Sequence, residues 1–175
     1  MLAIVLVLIA AAVWPVSAAR AQSATDTATA RAVLLSSGAL VSTQTLDFGD
    51  IMATTAGTVT VAPAGTIAST GGATPLNGAH TPGRFTGIGT RNRLIRLSVT
   101  PTQITISNGT GGSMIVDNFT IGSLAGLNQN GNSGNYRIVA ANGLFTFNVG
   151  ARLNVAANQQ PGTYTGTYNV EFNYQ

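Results

Sequence analysis

The sequence predicts an all-β protein, a sandwich of two antiparallel sheets with about seven to nine strands. Three observations lead to this fold class. Apolar residues recur at every second position in short runs, which is the period of a strand with one buried face. Glycine, proline and asparagine separate these runs about every ten residues. No helical periodicity follows the first stretch of the chain.

Residues 1–21 are predicted to be a signal peptide. Leu2–Val13 is an unbroken apolar run, shorter than the roughly twenty residues that a membrane-spanning helix needs. Small residues follow and end in Ala19-Arg20-Ala21, a pattern that signal peptidase accepts. The mature chain is therefore expected to begin at Gln22, or at Ala19 after an earlier cut. No Lys or Arg precedes the run, which departs from the usual pattern. We expect an exported protein that meets the membrane only through this leader.

Residues 22–36 form an N-terminal extension with the pattern of a strand. Ala28, Ala30, Ala32 and Leu34 share one face and alternate with residues such as Thr29 on the other. A strand with such small inward residues needs a sheet edge to pair with. Two interpretations stay open. The segment is either the first strand of its own domain or a strand donated to the sheet of another chain.

Residues 37–175 are predicted to form the sandwich domain. Its strands are marked by apolar residues at alternate positions: Leu46 and Phe48; Val59 and Val61; Ile95, Leu97 and Val99; Ile104 and Ile106; Met114 and Val116; Phe119 and Ile121; Phe145, Phe147 and Val149; Leu153 and Val155. The slip by one position after Val116 predicts a β-bulge near Asp117-Asn118. Gly150 is expected to let its strand bend. Residues 70–82 and 128–135 are predicted to be loops, because Gly, Asn, Thr and Pro dominate them.

The clearest strand closes the chain after the turn signal Pro161-Gly162. Polar residues, Glu171 among them, alternate there with a row that is predicted to face the core: Tyr164, Gly166, Tyr168, Val170, Phe172 and Tyr174.

The composition excludes several classes of protein. There is no cysteine, so the fold of this exported chain must hold without disulfides. Charged residues are 7% of the chain, far below the usual quarter, and all eight basic residues are arginines. A nucleic-acid-binding surface needs clustered basic residues with stacking aromatics. Only Arg91, Arg93 and Arg96 come close together in sequence, so no nucleic-acid partner is expected.

The residues also predict no enzyme, no cofactor and no metal site. His80, the only histidine, lies in a predicted loop far in sequence from any acid. Asp47 and Asp50 flank Gly49, and alternation turns Asp47 away from the core, so we interpret both as turn and strand-end residues rather than calcium ligands. No nucleophile with a base and no pair of carboxylates emerges from the remaining acids, which are Asp26, Asp117 and Glu171.

A series of segments extends in a distinctive order over nearly the whole mature chain: Leu46-Asp47-Phe48-Gly49, residues 56–61, residues 83–87, residues 97–101, residues 114–119, residues 147–150 and residues 160–166, with Tyr174 at the end. Together they resemble a secreted proteobacterial family, domain of unknown function 4402. Ala151-Arg152 departs from the Gly-Thr expected there, which affects a turn rather than the fold.

The family is similar to the pilin-type sandwiches of alternative and archaic chaperone–usher systems, including common-pilus major subunits and spore-coat-U-like proteins. The resemblance implies an immunoglobulin-like fold that lacks one strand, which the N-terminal extension of the next subunit supplies. The donated residues would be Ala28, Ala30, Ala32 and Leu34. The implied partners are copies of the chain, a periplasmic chaperone and an outer-membrane usher, at the surface of a Gram-negative bacterium. The core signature comprises Leu46, Phe48, Gly49, Phe147, Tyr164, Tyr168, Phe172 and Tyr174.

Two functions follow from the sequence. The first is a pilin-like structural subunit of a surface filament. The alternative is a monomeric secreted or surface-attached module that is adhesive or binds carbohydrate. Sugar binding favours exposed aromatic rings, whereas the predicted mature chain has no Trp and its closing tyrosines are predicted to face the core. The fate of residues 22–36 distinguishes the two functions, since a subunit pairs them with a neighbour and a module folds them into its own sheet.

Overall fold

A computed structural model describes residues 37–76 and 80–175. The predicted leader and the extension 22–36 lie outside these residues. The described chain is all-β with two antiparallel sheets, which confirms the predicted fold class. None of its segments is a helix that could cross a membrane. The strands are β1 (Ala39–Gln44), β2 (Ile51–Val61), β3 (Ile67–Pro75), β4 (Gly83–Ile88), β5 (Leu94–Thr100), β6 (Ile104–Ser107), β7 (Ser113–Ala125), β8 (Leu127–Gln129), β9 (Asn135–Ile138), β10 (Leu144–Val155) and β11 (Asn169–Tyr174).

The larger sheet is organised around β10, which pairs with three strands. Its residues 144–149 pair with β4 and its residues 151–155 pair with β2. A strand has only two edges, so β4 and β2 follow one another along one edge while β7 occupies the other. Beyond these, β1 extends the sheet from β4, β3 extends it from β2, and β6 extends it from β7.

The pairing of β10 with β7 contains the predicted bulge. The register shifts between Gly150, opposite Thr120, and Arg152, opposite Asp117. Asn118 takes a φ of 50°, a left-handed conformation that asparagine tolerates better than most residues. Arg152 donates two hydrogen bonds to the Asp117 carboxylate, at 2.9 and 3.0 Å, across this irregularity. These bonds hold the pKa of Asp117 below its usual value.

Gly150 permits a close approach of the β2–β3 turn to β10. A side chain there would collide with the carbonyl oxygen of Val61 and with the ring of Pro63. The neighbouring Asn148 amide donates a hydrogen bond of 2.8 Å to the Pro63 carbonyl oxygen. As a result β10 is buried on both faces from Phe147 to Ala151.

The smaller sheet has the order β11-β5-β9-β8, which places β11 at an edge. The predicted alternation is confirmed over β11, where Glu171 is exposed and Phe172 faces inward. The inward residues are only half-buried, because an edge strand is covered on fewer sides than a central one. Two parts of the prediction are wrong. The strand begins at Asn169 rather than Tyr164, and Gly166 is exposed.

Other differences from the predicted strands concern weakly apolar segments. Residues 70–75 belong to β3 instead of a loop, since Thr, Gly and Ala pair there with β2. Leu46 and Phe48 flank a single bridge, between Asp47 and Thr81, and do not form a strand. β1 precedes them, and its apolar residues are consecutive (Ala39, Leu40 and Val41), so they show no strand alternation. Residues 130–134 form the turn between β8 and β9, which is shorter than the predicted loop 128–135 because the ends of that segment pair as strands.

The core consists of two apolar clusters: an upper one beside the first half of β10, between the two sheets, and a lower one beside the second half of β10, formed by the larger sheet and adjoining segments. The upper cluster comprises Phe85, Ile95, Leu97, Leu127, Tyr136, Ile138, Phe145, Phe147 and Val149, with Phe172 and Tyr174 packed against it. The lower cluster comprises Val59, Ala73, Ile106, Val116, Ala151, Leu153 and Val155, with Leu46, Phe48 and Tyr164 among its partly buried neighbours. Both clusters draw on β10, and Phe119 touches both.

Phe172→Ala is expected to lower the free energy of unfolding by about 2–3 kcal/mol. The ring contacts Phe145, with centroids 5.6 Å apart, and Tyr174, at 5.2 Å, yet it is only half-buried. A fully buried phenylalanine would lose about 3–5 kcal/mol. Glu171→Ala, on the exposed face of the same strand, should change the free energy of unfolding by less than about 0.5 kcal/mol. Urea unfolding measures both, and equal losses would contradict the assignment of the two faces.

Candidate functional site

The lower cluster is open on one side to a groove of about 800 Å³. One wall is formed by residues 45–51 and the other by residues 159–166. The floor is apolar and comes from three strands: Ile104 and Ile106 of β6, Met114 and Val116 of β7, and Leu153 and Val155 of β10. Tyr168 also lines the groove. The groove thus has an apolar floor between two irregular walls, each with a single isolated β-bridge.

Each wall has a backbone edge with few partners. Asp47 exchanges hydrogen bonds of 2.8 and 2.9 Å with Thr81, and Thr165 exchanges two bonds of 3.0 Å with Ser107. Within residues 37–76 and 80–175, no backbone hydrogen bond reaches Phe48 in one wall or Gly166 in the other. Unpaired N–H and C=O groups of this kind favour pairing with a further extended chain. The groove therefore combines apolar surface with backbone groups that can form a ladder.

The wall at residues 159–164 is held in place by the hydroxyl of Tyr164. This hydroxyl accepts a hydrogen bond of 2.7 Å from the Gln159 side-chain amide and donates one to the carbonyl oxygen of Gln160. The Gln159 amide also donates a bond of 3.1 Å to the carbonyl oxygen of Ser113 on β7. Asn108 donates a longer bond, 3.4 Å, to the same hydroxyl. The wall is therefore fixed before anything binds, which lowers the entropic cost of binding.

Tyr168 joins the groove to the upper cluster. Its ring lies 6.2 Å from that of Phe85 and 5.2 Å from that of Phe119. Burial raises the pKa of Tyr168 to about 12, so its hydroxyl stays protonated at any physiological pH. A neutral phenol at this position keeps the inner end of the groove free of charge.

The rim of the groove carries two aspartates, both exposed. The Asp47 carboxylate accepts a hydrogen bond of 2.8 Å from the backbone N–H of Gly49, which has a φ of 71°. This geometry is the turn role predicted for Asp47. No group of three or more His, Cys, Asp or Glu side chains that could hold a metal ion occurs among the described residues.

The structure divides the predicted core signature into two groups. Leu46, Phe48, Gly49, Tyr164 and Tyr168 meet at the groove. Phe147, Phe172 and Tyr174 lie at the upper cluster instead. The strand-donation candidates, Ala28, Ala30, Ala32 and Leu34, lie outside the described residues. The sequence pattern placed Ile104, Met114, Leu153 and Val155 in an ordinary core. It did not single out other groove residues, among them Ile51, Ala53 and Gln159.

Comparison with known proteins gives one match. The model of the family described as "Domain of unknown function (DUF4402)" matches residues 39–174. No curated protein and no solved structure matches the chain. The matched residues include every described strand and the whole groove.

Proposed function

The chain belongs to the DUF4402 family, and from this premise we propose that it is a structural subunit of a surface filament, a pilin-like protein that assembles by strand donation. The donated strand is the segment 22–36 of one copy, and the acceptor is the groove of the next copy. The single observation that carries this proposal is the groove itself, with its apolar floor and its two partly unpaired walls.

The segment 22–36 has the chemistry that such a groove accepts. An added strand contributes backbone hydrogen bonds along its length and alternate side chains that enter pockets. The row of Ala28, Ala30, Ala32 and Leu34 presents small apolar groups at this spacing. Alanines bury little area, so affinity would come mainly from the backbone ladder and from Leu34.

Chain length limits which part of the chain's own groove Leu34, the largest residue of the donated row, can fill. Gly38 packs against the ring of Phe172, at the end of the domain where β10 begins. The far part of the groove lies beside Val155, where β10 ends. At the usual rise per strand residue, this point is about 35 Å from the beginning of β10. Leu34 stands only four residues before Gly38 and reaches about 14 Å from it at most. Leu34 therefore cannot occupy the far part of its own groove.

Export and assembly follow from the same proposal. The leader 1–21 directs the chain to the periplasm of a Gram-negative bacterium, where a chaperone would cover the groove until an outer-membrane usher exchanges it for a neighbouring subunit. The alternative of a carbohydrate-binding module has less support. Within the described part of the chain, the exposed large apolar residues include no aromatic ring on which a sugar could stack.

Leu34→Asp in the full mature chain is expected to replace polymers with monomers. The substitution would bring a carboxylate into an apolar groove without a partner charge, which costs far more than the lost packing of Leu34. Size-exclusion chromatography and electron microscopy of the purified protein measure the outcome. Val33→Asp is the matched control, because the neighbouring residue points to the opposite face of the strand.

An added peptide of residues 22–36 should bind to the Leu34→Asp protein, whose groove is then vacant, and fluorescence anisotropy of the labelled peptide measures this binding. The proposal fails if the unaltered protein is a stable monomer and Leu34→Asp lowers its melting temperature. The segment would then be a strand of its own domain.

A further inference from the structure

The described charges are distributed unevenly between the two ends of the domain. Arg91 and Arg93 lie in the turn between β4 and β5, and Arg137 pairs with Leu94 at the start of β5. We call these three residues the arginine end. Asp47 and Asp50 lie on the rim of the groove, and we call them the aspartate rim. Arg91 and both aspartates are exposed, while Arg93 and Arg137 are half-buried.

The two sets of charges lie at opposite ends of β4. Asp47 pairs with Thr81, just before the strand begins, whereas Arg91 follows the other end of the strand at Ile88. The seven steps from Thr81 to Ile88 span about 23 Å. The arginine end is also held together, because the Arg137 guanidinium donates a hydrogen bond of 2.8 Å to the Asn92 carbonyl oxygen.

These charges form no ion pairs within the described residues. The one ion pair found there joins Arg152 to Asp117, on β10 and β7, away from both ends. The arginine end thus presents three positive charges and the aspartate rim two negative ones, each without a described counter-charge within 4.0 Å. Arg84, exposed near the start of β4, is a cation on the side of the rim, and its guanidinium donates a hydrogen bond of 3.3 Å to Asn148. Surfaces of opposite sign on one molecule are complementary between two copies placed head to tail.

The point where the N-terminal segment leaves the domain is at the arginine end. Gly38 contacts Phe172, and the same ring lies 3.3 Å from the position of a Cβ on Gly89, which is two residues before Arg91. A subunit that donates its segment 22–36 therefore turns its arginine end towards the groove of the acceptor. The rim of that groove carries Asp47 and Asp50.

We propose that the arginine end of one copy docks on the aspartate rim of the next, and that this contact steers head-to-tail association. The inference rests on the proposed function, because it takes the second copy as the partner. Exposed charges of this kind act chiefly on the rate of association and make it depend on salt. They also disfavour head-to-head encounters, in which two arginine ends would meet.

The test uses the full mature chain at one fixed pH of about 8. Light scattering follows the rate of polymer formation at low and high salt. We expect high salt to slow polymer formation by the unaltered protein about tenfold. Asp50→Arg and Arg91→Asp, each alone, should slow assembly at low salt by a similar factor. Asp47 is left unchanged because its carboxylate holds the Gly49 turn.

The double variant Asp50→Arg/Arg91→Asp should recover the original rate, because both surfaces have then changed sign together. This recovery also shows that the single variants fail through charge and not through misfolding. Glu171→Arg is the matched control, since Glu171 is exposed on β11 opposite Ser98, outside both charged surfaces, and its reversal should leave the rate unchanged.

If both single variants assemble at the original rate in low salt, the docking proposal is wrong while the filament proposal stands. If the double variant stays as slow as the single variants, the pairing of these two surfaces is also wrong. If the unaltered protein forms no polymers under any salt condition, both proposals fall.

Discussion

Met114→Glu is expected to abolish assembly while leaving the domain folded. Met114 lies on β7 in the floor of the groove, opposite Ile106 of β6, and is half-buried. In the free protein a glutamate there can still reach water through the open side of the groove. A strand that filled the groove would bury the carboxylate without a counter-charge, at a cost of several kcal/mol. Polymers measured by size-exclusion chromatography and electron microscopy should therefore disappear.

The neighbouring residue supplies the control. Ile115 follows Met114 on the same strand, faces the opposite side of the sheet and is 39% exposed. Ile115→Glu adds the same charge within one residue of Met114 but outside the groove, so assembly should be retained. Circular dichroism melts of both variants check the fold. Assembly of Met114→Glu at the level of the unaltered protein would contradict the role given to the groove.

Phe147→Ala is expected to have the largest effect on stability, about 3–5 kcal/mol in the free energy of unfolding. The side chain is 0% exposed in the middle of β10. Its ring stacks on Phe85, its cross-strand partner on β4, at 5.5 Å, and lies 6.4 Å from the ring of Phe145. The truncation leaves a cavity between the two sheets that rigid strands cannot close.

A domain of this size is typically stable by about 5–15 kcal/mol, so Phe147→Ala should shift the midpoint of urea unfolding strongly and lower the yield of folded protein. Leu144→Ala on the same strand is the comparison. Because Leu144 is 46% exposed, this substitution should lower the free energy of unfolding by less than about 1 kcal/mol. Similar losses for the two variants would show that the upper cluster does not hold the sheets together as described.

The sequence predicted the strands that carry their own apolar alternation. β5, β10 and the greater part of β11 were predicted this way, as was the bulge at Asn118, because parity alone sets which face is buried. Strands without a clear alternation of their own were missed for the same reason, namely β1, β3, β4, β8 and β9, so eleven strands form where seven to nine were predicted. β3 consists largely of Ala, Ser, Thr and Gly, and it forms because β2 lies beside it and supplies a ladder. Such pairing is a property of the tertiary arrangement and leaves little trace in a local pattern.

The groove could be predicted only in part. The positions of Ile104, Met114 and Val155 indicated which way these side chains face, and that direction is correct. Segments far away in sequence decide whether a second layer covers the face formed by these side chains. Here residues 45–51 and 159–166 flank that face and leave it open. The order of the sequence motifs predicted more than the alternation of apolar residues did, because it identified the family directly.

The position of β10 in the larger sheet has a consequence for how the chain folds. β10 comes late in the sequence, yet it pairs with β2, β4 and β7, and Leu153 meets Val59 from roughly ninety positions earlier. Neither apolar cluster can close before β10 has been added, although pairs such as β2–β3 and β6–β7 do not need it. Contacts at such sequence separation make folding slow, on the scale of milliseconds to seconds rather than microseconds. We therefore expect the domain to fold in a single late step, with a long-lived precursor whose strand edges are still unpaired.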